Sequence, residues 1–303
     1  MTATNPTRPS RDASLSLIDH IAQWINWPRF IFAVTMIFFL TSILFPFYWM
    51  VSSSFKTYAE IGGREPVYIP GALRPEAYLE LFDFWNFGAN IVNSLKVAIP
   101  TSVIAVILST LGAYAVARLH FRGKNAMLNG ILVVYLFPGI LLIIPLFAMV
   151  SQIGASIGFE VQDNLTVLIL TYLAQTLPVA LYMLANYFRT IPAEIEQAGL
   201  IDGCSRVGVI WRVTLPLAIP ALVSVAIYTF MIAWNEFLYA LVFLNSRDLF
   251  TMPIKINTIF NDPSPRPHVV MAASTIMTVP VVVLFLALER FLEEGLTAGG
   301  VKG

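Results

Sequence analysis

The stretch Phe30-Ile-Phe-Ala-Val-Thr-Met-Ile-Phe-Phe-Leu-Thr-Ser-Ile-Leu-Phe-Pro-Phe-Tyr-Trp-Met-Val-Ser-Ser-Ser-Phe55 contains no Asp, Glu, Lys or Arg. About 20 apolar residues in a helix cross the hydrocarbon core of a bilayer, so this run is long enough to span it. Five further runs are equally free of charge: 97 to 117, 125 to 159, 164 to 188, 213 to 235 and 267 to 288. Backbone groups in lipid must be satisfied within a helix or a closed barrel, and these runs lack the alternation of barrel strands. The sequence therefore predicts an all-α integral membrane protein with six transmembrane helices. Composition agrees, since 57% of the residues are hydrophobic and 12% are charged, about half the charged share of a soluble domain.

Charge placement suggests an orientation. The formal net charge is zero, which gives no basis for binding nucleic acid. With the N-terminus on the cytoplasmic side, Arg8, Arg11, Arg29, Arg118, Arg122, Lys124, Arg189, Arg206, Arg212, Arg290 and Lys302 all fall inside, and the outer loops hold fewer cations. That bias predicts both termini in the cytoplasm. Lys96 is expected at a helix start. Residues 1–29 read as a polar cytoplasmic leader, and the first apolar run reads as a retained anchor because no cleavage pattern follows it. Residues 30–292 form the membrane domain and 293–303 a cytoplasmic tail. The lone cysteine, Cys204, allows no intrachain disulfide.

The loops differ in character. Residues 56 to 90 carry Gly62, Gly63, Pro66, Pro70 and Pro75 with aromatics from Phe82 to Phe87, and are expected to fold as a small outer cap. Pro138-Gly139 and Pro145 are expected to interrupt helix three, and Pro178 helix four. Between helices four and five, residues 190–215 read as a helix-turn-helix. Pro192, Glu194 and Glu196 suit a helix start. Ile195, Ala198 and Leu200 or Ile201 give it an apolar stripe, and Asp202-Gly203 is a turn pair. Ser205 is placed to cap a second short helix running toward Arg212, before Pro216 and Pro220. From the residues alone this hairpin either seals the bundle at the membrane surface or enters a groove on a partner protein.

The hairpin resembles the loop, named for a Glu-Ala-Ala signature, in permease subunits of ATP-binding-cassette importers. Glu196, Ala198, Asp202, Gly203, Leu215, Pro216 and Pro220 match its spacing. Gln197 stands for the signature glutamate and Gly199 for the second alanine. Phe45–Met50, Ser54–Lys56, Asn93–Leu95, Ala113–Arg118, Phe121–Lys124, Trp234–Phe237 and Gly295–Gly303 are similar to the maltose-type branch of these permeases. The resemblance implies a permease subunit of a bacterial importer for a sugar or sugar-like solute. Its partners would be a second permease subunit, two copies of an ATP-binding subunit, a periplasmic solute-binding protein and the lipid bilayer of the inner membrane. ATP and Mg would be bound by the ATPase partner, and no Gly-x4-Gly-Lys-Ser/Thr phosphate loop occurs in this chain. Catalytic and metal-ligating residues are not expected here, nor a cofactor.

Within that frame, Glu194, Glu196, Gln197, Ala198, Gly199, Asp202, Gly203 and Ser205 are implied as the ATPase-coupling surface, with Gly299 and Lys302 in a second contact through the tail. Asn235 and Glu236 interrupt an uncharged stretch, and polar groups at membrane depth face a bundle interior or a wet cavity. They read as structural, gating or solute-contacting. Tyr172, Gln175, Tyr182 and Tyr228 offer hydroxyls, an amide and aromatic faces suited to a sugar path, or to gluing helices together. Arg118, Arg122 and Lys124 read most simply as determinants of topology. A polyol, a sulfonated or glycerol-linked sugar or a sugar phosphate is the alternative solute class. An ion-coupled secondary transporter and a membrane scaffold are the readings of other classes.

Overall fold

The computed structural model describes residues 27–136 and 138–300. Helix α1 covers Trp27–Ser53, α2 Tyr58–Gly62, α3 Glu76–Asp83, α4 Phe87–Arg118, α5 Lys124–Leu136, α6 Gly139–Ile157 and α7 Leu165–Thr190. Then follow α8, Ala193–Ile201, α9, Arg206–Leu217 with a π-turn at Ile210–Thr214, α10, Ile219–Asn235, α11, Leu238–Phe243, α12, Met252–Phe260, and α13, Pro267–Gly300. Among the described residues there is no strand. Five helices are long and apolar enough to cross a membrane, and α9 with α10, bent by 80° at Ala218, makes a sixth. The six-span all-α architecture thus holds.

Three expectations need correction. Run 125–159, read as one span, is two helices, α5 and α6, which part at Pro138 where that proline was expected to interrupt them, and α6 alone is long enough to span. Pro145 and Pro178 interrupt nothing: both lie inside continuous helices, as do Pro46, Pro100 and Pro280. A proline in lipid removes one backbone hydrogen bond without unwinding the helix when neighbours cover the gap. Lys96 is not at a helix start, because α4 begins at Phe87. Of the tail, Gly299 continues the α13 helix, while Lys302 lies outside the described residues, as does most of the leader.

The bundle centres on α4 and α7, whose contact is the most extensive of any helix pair. The buried stripe of α4 reads Ala98, Ser102, Ala105, Ser109, Ala113 and Val116 at helical spacing. Small residues let backbones approach when the hydrophobic effect supplies no drive between helices. A Cβ at Gly112 would come within 2.8 Å of Leu181 Cδ1, so α7 leaves room only for glycine there unless Leu181 moves. Helix α10 packs on α4, α7 and α13. Thr229 donates to Ser102 across the α4–α10 seam at 3.0 Å, and Trp234 Nε1 donates to the Met277 carbonyl at 3.0 Å. By contrast α1 exposes apolar side chains along nearly its whole length, a surface for hydrocarbon rather than water.

The expected cap forms from α2 and α3, which pack on α13. Thr57 and Glu60 make a capping box at the start of α2, and Glu60 also accepts from Gly71 N at 3.1 Å. These backbone donors, Thr57 first, hold the Glu60 carboxyl below its ordinary range. Arg266 pairs with Glu80, tying α3 to the start of α13. At the same end, the Asn93-Ser94 motif holds the segment before α12. Asn93 Nδ2 donates to the carbonyls of Asp248 and Phe250, at 2.7 and 3.3 Å, Asn90 Nδ2 donates to Phe250 O at 2.8 Å, and Met252 N donates to Ser94 Oγ at 2.8 Å.

Candidate functional site

The hairpin forms residue by residue as its sequence dictates. Pro192 precedes α8, Gly203 takes φ +90° in the turn, and Ser205 Oγ accepts from Gly208 N at 3.1 Å at the start of α9. Gly199 lies between the two arms, where a Cβ would sit 3.4 Å from the Val209 and Val213 methyls, close to ordinary contact. Its orientation, however, differs from the apolar stripe expected for α8. Ile195, Ala198, Leu200 and Ile201 are exposed, and the residue turned inward is Glu196.

Glu196 is the centre of a polar knot. Arg118 Nε donates to Glu196 Oε1 at 3.0 Å, Thr214 Oγ1 donates to the same oxygen at 3.1 Å, and Tyr114 OH donates to Oε2 at 3.4 Å. Arg118 also donates through Nη2 to the Ile191 carbonyl at 2.8 Å. The two side chains are only 14% and 8% exposed. One carboxylate thereby joins the end of α4, the start of α8 and the π-turn of α9. A buried charge without its partner is costly, so the pair fixes these three elements together. Arg118, read from sequence most simply as a determinant of topology, also anchors the hairpin. The signal lay in Tyr114 and Arg118, four apart on one face of α4, but nothing in sequence named their partner, 82 and 78 residues away. Glu194, Gln197, Asp202, Gly203 and Ser205 remain exposed beside Ile201, Val207 and Trp211.

The second group of candidates lies toward the cap end. Tyr172 is fully buried and donates to Glu236 Oε2 at 2.6 Å. Tyr239 N and Ala240 N donate to Glu236 Oε1 and Oε2 at 2.8 and 3.1 Å, so the carboxylate links α7 to the first turn of α11. Both oxygens are committed within the chain, which supports the structural or gating role over solute contact. Asn235 is exposed and donates to its own helix, at Met231 O. Tyr228 lies close to Tyr135 of α5, and Tyr182 is exposed. Gln175 stands apart from these, facing a cavity of about 700 Å3 that Tyr135, Gly139, Pro178 and Tyr239 also line. Sequence reasoning missed Tyr135 and Tyr239, which differ in no visible way from other aromatics in apolar runs.

The hairpin, the elbow at Ala218 and the Glu236 link all fall within residues 105–298, which match the profile of a family described as binding-protein-dependent transport system inner membrane component. The chain belongs to this family. Such a permease is similar to the inner membrane ABC transporter permease protein YcjP of Escherichia coli, with 43% identity over 88% of this chain and 93% of that one. It is 34% identical to the sulfoquinovosyl glycerol transport system permease protein SmoH of Agrobacterium fabrum, over 87% of this chain and 90% of the relative. A crystal structure of a bacterial ABC transporter that imports the acidic polysaccharide alginate shares the fold, with a TM-score of 0.74 at 21% identity, covering 91% of this chain and 98% of the other. Membership in this transporter family makes the chain a permease subunit rather than an enzyme, and sets aside the ion-coupled and scaffold readings.

Proposed function

We propose that this permease is one half of the translocation pathway of an ATP-driven importer for a sugar or sugar-like solute. Its hairpin, residues 190–215, follows a partner ATPase as that subunit closes. The observation that carries the proposal is the hairpin's two-sidedness. Its outer face presents Gln197, Ile201, Asp202 and Trp211, while its inner face is bolted by Glu196 to Arg118 at the end of a spanning helix. A force on the exposed tip then reaches α4 through the ion pair and α10 through the 80° elbow. Sugar-class relatives in the same family support the solute assignment, among them the trehalose permease SugB of Mycobacterium tuberculosis, 34% identical over 86% of this chain.

In this reading the chain works with a second permease, two ATP-binding subunits that hold ATP and Mg, and a periplasmic solute-binding protein, with both its termini in the cytoplasm. A second solute class, an acidic or glycerol-linked sugar, is favoured by the likeness to the sulfoquinovosyl glycerol permease. The hairpin assignment is tested by charge reversal at Asp202 and by Ile201→Glu, both at exposed positions. Each should leave folding intact and abolish solute-dependent uptake in proteoliposomes. Wild-type uptake in both variants would show that the tip docks to nothing.

A further inference from the structure

The cavity beside Gln175 lies between the α5–α6 break, α7 and α11, and its volume of about 700 Å3 falls within the range of small-molecule sites. The Gln175 side chain is exposed into it, and its amide has no hydrogen-bond partner among the described residues. One turn on, Pro178 carries no N–H to give to the carbonyl of Ala174, which also lines the cavity, so a backbone acceptor is released there. Two hydroxyls stand at its wall in fixed positions. Tyr239 donates to Gly139 O at 3.2 Å, and Tyr135 lies close to Tyr228. Thr171 also lines the cavity, its hydroxyl donating to Val167 O at 2.9 Å, and the remaining lining is apolar, with proline, leucine and methionine side chains.

None of the lining residues is charged. The adjacent ionisable side chain is Glu236, whose oxygens are held by Tyr172, Tyr239 and Ala240 directly behind the wall. An anion entering this cavity would leave water without meeting a cation and would approach a carboxylate, both unfavourable. A neutral molecule rich in hydroxyls meets the opposite situation. The amide both donates and accepts, the released carbonyl accepts, the phenols fix orientation, and the aromatic and aliphatic walls cover C–H faces.

We propose that this cavity is a subsite for a neutral, hydroxyl-rich solute such as an uncharged mono- or disaccharide, and that it discriminates against acidic sugars. The inference rests on the importer reading above and narrows its solute class, away from the acidic solutes of the alginate importer and from sulfonated sugars.

The test uses the complete importer with its binding protein in proteoliposomes, and radiolabelled solutes from two sets: neutral mono- and disaccharides, and the anions glucuronate and glucose 6-phosphate. The expected result is ATP-dependent uptake of a neutral sugar and of neither anion. Gln175→Leu should lower that uptake about fivefold, the effect of losing one neutral hydrogen bond, and Gln175→Asn should recover part of it. Isolated binding protein should bind the sugar as before in all cases. ATP-dependent uptake of an anion, intact ATP hydrolysis with no neutral uptake, or wild-type uptake by Gln175→Leu would each overturn the neutral subsite while leaving the importer standing. Absence of any ATP-dependent uptake or hydrolysis would instead overturn the importer reading, and this inference with it.

Discussion

The two ends of the bundle are fastened in opposite ways. At the hairpin end, one ion pair between Arg118 and Glu196 gathers three elements around a single carboxylate. At the cap end, the fastening is spread over many side chains, most of which grip backbone: Asn90 and Asn93 on the carbonyls of 248 and 250, Ser94 on Met252 N, and Asp163 Oδ1 accepting from Asn245 N and Ser246 N, beside the Arg266–Glu80 ion pair. A concentrated attachment makes a stiff joint that either holds or fails. A distributed one tolerates the loss of a member. The hairpin end is therefore joined to the bundle through one charged knot, and the cap end through many separate contacts.

The contrast is sharpest at Glu196. Glu196→Ala leaves Arg118 buried without its partner and is expected to cost about 3–5 kcal/mol, read as a large fall in the thermal unfolding midpoint of the purified complex. Because the cost is that of a stranded charge, the double variant Arg118→Leu with Glu196→Leu should recover much of it. If the single and double variants unfolded alike, the pair would not be the joint. At the other end, Asn93→Ala removes two hydrogen bonds from a cluster whose other members remain. A loss of about 1–2 kcal/mol is expected, with faster hydrogen exchange confined to residues 248–252. An effect as large as that of Glu196→Ala would erase the distinction between the two fastenings.

Much of this was legible in sequence, for reasons that separate the cases. Runs without charge gave the spans, because lipid demands internally satisfied helices. The turn and the helix starts of the hairpin were readable because Pro192, Gly203 and Ser205 act locally, through fixed φ, positive φ and a cap. What lay hidden was long-range. Nothing in α8 says that Glu196 rather than Ile195 turns inward, since that depends on Arg118 and Thr214 arriving from elsewhere. Prolines 145 and 178 looked like breaks, whereas each removes one backbone hydrogen bond and leaves its helix continuous. The cavity's Tyr135 and Tyr239 carry no pattern that marks them, and only the folded chain brings them to Gln175.

The smallest expected effect is at the cap. The Glu60 carboxyl is held below its ordinary range by the N–H groups of Thr57 and Gly71, so its contribution to cap order is full above the ordinary carboxylate range and is lost as pH falls through the lowered value. Hydrogen exchange at the Gly71 amide should therefore accelerate only in acid, below about pH 4, and Glu60→Gln should flatten that dependence.

An importer built this way hydrolyses ATP when a solute-loaded partner engages this permease. The most direct measurement is the ATPase activity of the co-purified complex in nanodiscs, with and without liganded binding protein, for the native chain. Stimulation by one binding protein loaded with a sugar is the result predicted. Failure of any ATPase to co-purify, or hydrolysis indifferent to every liganded binding protein, would contradict it.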